Sequence, residues 1–284
     1  MLKDSTSTYY CRGFFMNKKE AFGKGLPKWP QMRIIGEPVS EELAKEIIIR
    51  TDTFFDSMHS SNSHAFDKKC RKIFGIPDEP NLYKEWQKVF EIFDKKDTAT
   101  KDELEWANKE RDRLRDIEDN YWAFFDKLHK DIGYIKDEYI YNSWFSSCFI
   151  YGPHGWMNPD GTIGYIDNIG KWPDVESVYN YWVKIAKEYP MLNIRITLMN
   201  GEGCEDNIKP VVTMKVHNGK VRFSKDHIGD MEDIPVCRKN GNNFESAITA
   251  EDITDHECWW SLSYIRENLL PIFNRIKEQR AKSK

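Results

Sequence analysis

The chain has 284 residues, 42 basic against 46 acidic side chains for a net charge of -4, and an aromatic share of 14%. A chain of that length hides roughly 75% of its extended surface on folding, enough for one large domain or two ordinary ones. The near-balance of charge excludes both the acidic shell of a nucleic-acid mimic and a general basic coat, so any nucleic-acid contact has to be local.

No window reaches the ~18 to 20 consecutive apolar residues of a membrane span, and residues 1–10 lack the apolar core of a signal peptide. A cytoplasmic location without membrane contact is the expectation. The six cysteines, Cys11, Cys70, Cys148, Cys204, Cys237 and Cys258, form no CxxC pair. Such scatter reads as reduced thiols, mostly small buried groups, and not as a disulfide framework or a zinc ribbon.

Residues 1–36 set Lys18, Lys19, Lys28 and Arg33 among Tyr9, Tyr10, Phe14, Phe15, Phe22 and Trp29. Gly23, Gly25, Pro27 and Pro30 argue against a long helix there. The expectation is an extended basic aromatic arm, whose cations and ring faces suit a nucleic acid or an acidic partner. The alternative is the same arm packed back on its own domain.

Ser40 before Glu41 and Glu42 is an N-cap signal and predicts a helix over 41–57; shorter helices follow over 62–74 and 80–94. From Thr98 or Thr100 no Pro or Gly intervenes until Gly133, which allows a helix of about 30 residues, roughly 45 Å long. Leu104, Ala107, Arg111, Leu114 and Ile117 give it only a thin apolar stripe, so it reads as a strut that is solvated or packed on a partner chain. The expected division is an arm with a helical N-terminal domain over 1–97, the strut over 98–132 and an α+β domain over 133–284.

Residues 139–151 are rich in aromatic and β-branched types. Asn158-Pro159-Asp160-Gly161 then predicts a turn into a strand over 162–166, with Gly161 supplying a positive φ. Asp174 caps a helix in which Val175, Val178, Trp182, Ile185 and Ala186 recur at helical spacing up to Tyr189-Pro190. Ile194, Ile196 and Leu198 alternate as a strand, and Asn218-Gly219 joins strands over 211–216 and 220–223. The order β, β, α, β, β, β predicts an α+β fold: an antiparallel sheet with a helix across one face. A polar loop over 224–243 precedes a final helical stretch over 250–282 that Pro271 kinks or divides.

The sequence holds neither GxxxxGK[ST] nor a strand-to-helix GxGxxG, and no GxSxG elbow. His256-Glu257-Cys258 begins like a zinc helix but lacks the second histidine. His154, Asp160 and Asp167 could meet across the hairpin as a metal site or an acid/base pair, the core of a metal-dependent hydrolase. Asp160 is equally accounted for as a turn residue. Asp226, His227, Asp230, Glu232 and Asp233 offer oxygen ligands for a hard cation, or make a solvated acidic loop. The expectation is therefore a non-enzymatic protein with no catalytic residue, metal or cofactor.

Rings are where the chain departs from average. Twelve fall within the 36 residues 121–156. They either fill a core or stay on the surface as anchors, since interface hot spots favour Trp and Tyr. Tyr121, Trp122, Phe125, Trp144 and Trp156 are the candidate partner-binding set, and Lys18, Lys19, Lys28 and Arg33 the candidate nucleic-acid or acidic-partner set.

Gly152-Pro153-His154-Gly155-Trp156, Asp160-Gly161-Thr162-Ile163-Gly164, Asp167-Asn168-Ile169-Gly170-Lys171-Trp172-Pro173 and the segment from Tyr189-Pro190 to Met199-Asn200-Gly201-Glu202 resemble proteins of tailed phages and mobile elements. The likeness covers roughly 140–225, and its Trp-Pro, helix, Tyr-Pro, strand order looks like the ferredoxin-like sheet unit of some small phage families. In size, ring content and lack of a catalytic signature the chain is similar to phage anti-defence proteins, in particular the inhibitor of the Gabija system. That resemblance implies a non-enzymatic, oligomeric protein in the host cytoplasm that masks a nuclease and helicase-like defence complex and blocks its action on DNA. The likeness is one of overall character and transfers no site residues.

Overall fold

A computed structural model describes residues 16–27, 30–55, 65–95, 97–136, 156–168, 174–201, 208–227 and 262–283, without the side chains of 53, 65–67 and 166–168. The fold is α+β, and its contacts divide the chain into two compact units, each assembled from separate stretches of sequence.

The first unit is a five-stranded antiparallel sheet. Its strands are β1 (Gln31–Gly36), β2 (Ile163–Asn168), β3 (Ile194–Met199), β4 (Pro210–His217) and β5 (Lys220–Ser224), in the order β2-β1-β3-β4-β5. A short helix α1 (Lys18–Phe22) precedes β1, and α6 (Val175–Glu188) joins β2 to β3 and packs on β4 and β5. Alternation decides the faces. Met32, Ile34, Ile194, Ile196, Leu198, Val212, Met214, Val216, Val221 and Phe223 point to one side and are buried there. The opposite side carries Gln31, Arg33, Arg195, Thr197, Thr213, Lys215, Arg222 and Ser224. On α6 the apolar residues at helical spacing are buried, and Trp182 meets Trp156 with ring centroids 5.0 Å apart.

The turns follow their residues. Asp160 Oδ1 accepts from the Thr162 amide at 2.9 Å, Asn158 N donates to Thr162 O at 2.9 Å, and Gly161 stands at φ 91°. A side chain at Gly161 would also strike the Val39 carbonyl. Between β4 and β5, Asn218 at φ 51° and Gly219 at φ 69° make the two-residue turn that matches the strand twist.

The second unit is helical. It holds most of α2 (Glu41–Thr51), a 3-10 turn at Thr53–Phe55, α3 (Ala65–Phe74), α4 (Tyr83–Asp94), the long α5 (Lys101–Ile132), and a C-terminal run of α7 (Leu262–Tyr264), a π turn (Ile265–Leu269) and α8 (Leu270–Lys282). Thr100 and Glu103 close a capping box at the start of α5, and Gly133 ends it in the left-handed conformation. Arg50 Nε donates to the Gly133 carbonyl at 3.0 Å, a cation placed at the negative end of the helix dipole. Phe55, Phe74 and Phe273 form the ring core: Phe55 stacks on Phe273 at 5.5 Å, and Phe74 meets both edge-on at 5.1 Å.

Three expectations change. Residues 31–36 are not an arm but a strand paired on both sides, because Met32 and Ile34 bury fully on one face between β2 and β3. The division at 97/98 and 132/133 gives way to interleaved units: the N-terminal strand joins the sheet, while the C-terminal helices pack on α3 and α5. The helix expected over 41–57 ends at Thr51, where Asp52 accepts from the Phe54 amide at 2.7 Å and turns the chain. The strand expected over 139–151 and the loop over 228–243 lie outside the described residues.

Candidate interaction surfaces

On the helical unit, α4 and α5 pack as neighbours, with Val89 of α4 and Ala107 and Leu114 of α5 buried. Trp86 Nε1 donates to Glu118 Oε1 at 2.7 Å, and the Arg111 guanidinium lies 5.9 Å from the Phe93 ring centroid. These contacts fix one flank of α4. On it Phe90, 54% exposed, stacks on Trp86 at 5.4 Å, and Tyr83, one heptad earlier, is 68% exposed. Seven residues turn an α-helix to within about 20° of its starting direction, so Tyr83 and Phe90 share a face. Trp106 and Trp122 on α5 are each 44% exposed but stand about 160° apart around the helix, so they flank it on different sides and form no joint patch.

This placement redistributes the candidate rings. Trp122 is on the surface as expected of an anchor. Tyr121, Phe125 and Trp156 are not: each is buried within its own unit, Tyr121 and Phe125 along the α5 stripe and Trp156 against Trp182. Trp144 lies outside the described residues. Tyr83, Trp86 and Phe90 were missed although α4 carries four rings in its twelve residues. The available signal was a period of seven between Tyr83 and Phe90 off the Val89 face.

On the sheet unit the side opposite α6 is polar and ordered by register. Arg33, Thr197, Thr213 and Ser224 occupy one row across four strands, and all four are buried. Thr197 Oγ1 and Thr213 Oγ1 are 2.8 Å apart, and Thr213 Oγ1 lies 2.7 Å from His227 Nδ1. Arg33 Nε donates to Gln31 Oε1 at 2.9 Å. Hydroxyl beside imidazole is the pairing of a nucleophile with its base. Thr213 is 0% exposed, however, so its oxygen serves the hydrogen-bond chain and no substrate reaches it. Burial lowers the His227 pKa from its ordinary 6.5, with the Asp226 charge pulling weakly the other way.

The next row, Arg195, Lys215 and Arg222, is open to solvent in part, and beyond it His217 and Lys220 are exposed on the same side. Asp226 stands among them. Its Oδ2 takes a hydrogen bond from Lys215 Nζ at 2.6 Å, and chiefly for that reason its pKa is lowered.

Of the basic candidates, Arg33 is the buried member of the polar row. Lys18 Nζ sits 4.6 Å from the centroid of the Tyr179 ring on α6, and Lys19 is exposed on α1. Lys18 and Arg33 therefore belong to different faces of the sheet unit, and Lys28 lies outside the described residues. Asp160 holds the Thr162 turn, Asp167 lies in β2 opposite Met32, and His154 is outside the described residues. Among the described residues no group of three or more His, Cys, Asp or Glu side chains is arranged to hold a metal, and no helix is long and apolar enough to cross a membrane. In comparisons with protein families, characterised proteins and solved structures, nothing matches the chain.

Proposed function

We propose that the protein acts by binding: it is a phage-type, non-enzymatic inhibitor that docks on a bacterial anti-phage defence complex of the Gabija nuclease and helicase kind and blocks its action on DNA. The observation that carries the binding reading is the aromatic flank of α4, where Tyr83 and Phe90 are more than half exposed while Trp86 is anchored to α5 through Glu118. Rings held by a helix pair lose little side-chain freedom on docking, and Tyr and Trp are the residues on which interface energy concentrates. The choice of target rests on the resemblance to the Gabija inhibitor. Self-association belongs to the same reading, because the exposed rings of α4 and α5 can be covered by further copies of the chain.

The test is to mix the purified protein with a purified Gabija-type complex and to follow co-elution and DNA cleavage together. Co-elution with loss of cleavage is expected. Tyr83→Ala with Phe90→Ala should weaken binding by about 30-fold, the factor for one hot spot of ~2 kcal/mol, with the helical circular dichroism unchanged. Separate elution with undiminished cleavage would overturn the reading.

A further inference from the structure

We propose that Asn218, at the tip of the β4–β5 hairpin, is a site of spontaneous chemical modification, where deamidation through a cyclic imide with Gly219 ages the sheet unit. This site does not depend on the aromatic flank of α4.

Asn precedes Gly three times in the sequence, at 200–201, 218–219 and 240–241. A following glycine suits this chemistry because it has no side chain to hinder the approach of its own amide nitrogen. The last pair lies outside the described residues. In the first two pairs both asparagines are exposed, so exposure does not separate them. Hydrogen bonding does. Asn200 Oδ1 accepts from the Lys209 amide at 2.7 Å, and the Asn200 amide donates to the Lys209 carbonyl at 2.9 Å. Gly201 is buried, its carbonyl accepts from the Gln31 amide at 3.1 Å, and a side chain there would strike Ile208. Both reacting partners of that pair are thus held in place. Among the described residues no hydrogen bond tethers the Asn218 side chain or the Gly219 amide. Asn218 and Gly219 are the two-residue tip of a hairpin that closes on His217 and Lys220, so turning the Asn218 carbonyl to bring the Gly219 nitrogen onto the side chain disturbs only that end of the ladder.

The reaction needs only hydroxide and water. Hydroxide takes the Gly219 amide proton, the nitrogen attacks Asn218 Cγ, and the bond from Cγ to the side-chain nitrogen breaks with release of ammonia. Water then opens the cyclic imide. Cleavage at the side-chain carbonyl gives aspartate, and cleavage at the main-chain carbonyl gives isoaspartate, with a further methylene in the backbone. A two-residue turn matches the strand twist only at its own length. Gly219 also rests beside the end of α6, where an added side chain would come within 3.3 Å of Pro190 Cβ. The longer isoaspartyl link therefore disturbs both the β4–β5 register and the seat of the turn.

The experiment incubates the full chain in mildly alkaline buffer, with and without concentrated urea, and maps its peptides by mass spectrometry with fragmentation that separates aspartate from isoaspartate. In urea, positions 200 and 218 should convert at similar rates. In the folded chain Asn218 should convert about 30-fold faster than Asn200, the factor for two hydrogen bonds of ordinary strength that have to open first at Asn200. Asn218→Gly places a residue suited to φ 51° in the turn. It should keep the fresh protein's melting temperature close to the parent's and remove the fall that the parent shows on storage. The inference is overturned if Asn218 stays intact in the folded chain while the chain in urea converts, if Asn200 converts as fast as Asn218 in the folded chain, or if parent and variant lose melting temperature alike on storage.

Discussion

The two units differ in how polar groups and rings are placed. In the sheet unit polar groups are hidden: Arg33, Thr197, Thr213 and Ser224 are buried in a row, and Thr197 and Thr213 meet across strands. In the helical unit apolar groups are displayed: Tyr83, Phe90, Trp106 and Trp122 remain on the surface of α4 and α5. Burying polar atoms costs free energy unless each is paired, and exposing rings forgoes the gain of burying them. The stability of the first unit is thus tied in part to geometry across strands, and the second carries rings that the proposed docking would cover.

The largest effects should come from the two cores. Trp182→Ala, on a wholly buried ring under the sheet, should cost about 3 to 5 kcal/mol in chemical denaturation, and hydrogen exchange should rise through β3, β4 and β5. Leu114→Ala in α5 should cost about 2 to 4 kcal/mol, with the rise in exchange centred on α4 and α5. Exchange spreading evenly over both units in either variant would erase the contrast between them. Trp122→Ala, by contrast, should change stability by less than about 0.5 kcal/mol despite the size of the side chain, because it is exposed.

How much of this the sequence held differs between the units for a physical reason. Local signals were legible: the start of α5 at Thr98 or Thr100 and its stop at Gly133, the Asp174 cap of α6, the Asp160-Gly161 turn and the Asn218-Gly219 hairpin all act over a few residues. Non-local pairing was not. Gln31–Gly36 reads as part of an arm although Gln31, Met32, Arg33 and Ile34 alternate between Pro30 and Gly36; its partners β2 and β3 lie far downstream, and their pairing is not encoded locally. The same holds for surfaces. The cation row exists only once β3, β4 and β5 are in register, and the exposure of Tyr83 depends on which flank of α4 meets α5. The ring-rich segment 121–156 drew attention by density, yet its described rings are divided between two cores, and Trp122 alone of the candidate rings described is exposed.

Smaller effects sharpen the contrast. Thr100→Ala removes the capping box of α5 and should cost about 1 kcal/mol, detected as earlier fraying of that helix end by hydrogen exchange. The sheet unit should instead respond to acid. His227 has a folded pKa below its ordinary 6.5, so the unfolded chain takes up the proton first. Its contribution is present above about pH 6.5 and is lost as the pH falls from there through the lowered folded value. Asp226, also lowered, adds a contribution present above its ordinary value of 3.8 and lost below it as the pH falls through the folded one, at the Lys215 contact. Melting curves from pH 8 to 5 should therefore show a shallow decline that His227→Gln flattens; an unchanged slope in that variant would place the acid response elsewhere.

The position of β1 in the sheet has a consequence for how the protein is made. Gln31–Gly36 leaves the ribosome early, but its two neighbours, Ile163–Asn168 and Ile194–Met199, emerge only after the whole of α5. The sheet cannot close around β1 until β3 has been synthesised, whereas α4 and α5 can pair once α5 itself has emerged. High sequence separation between pairing partners slows folding. Refolding should accordingly show fast recovery of helical signal and slow recovery of the Trp156–Trp182 environment, with an unpaired, apolar Met32–Ile34 segment exposed to chaperones in the interval.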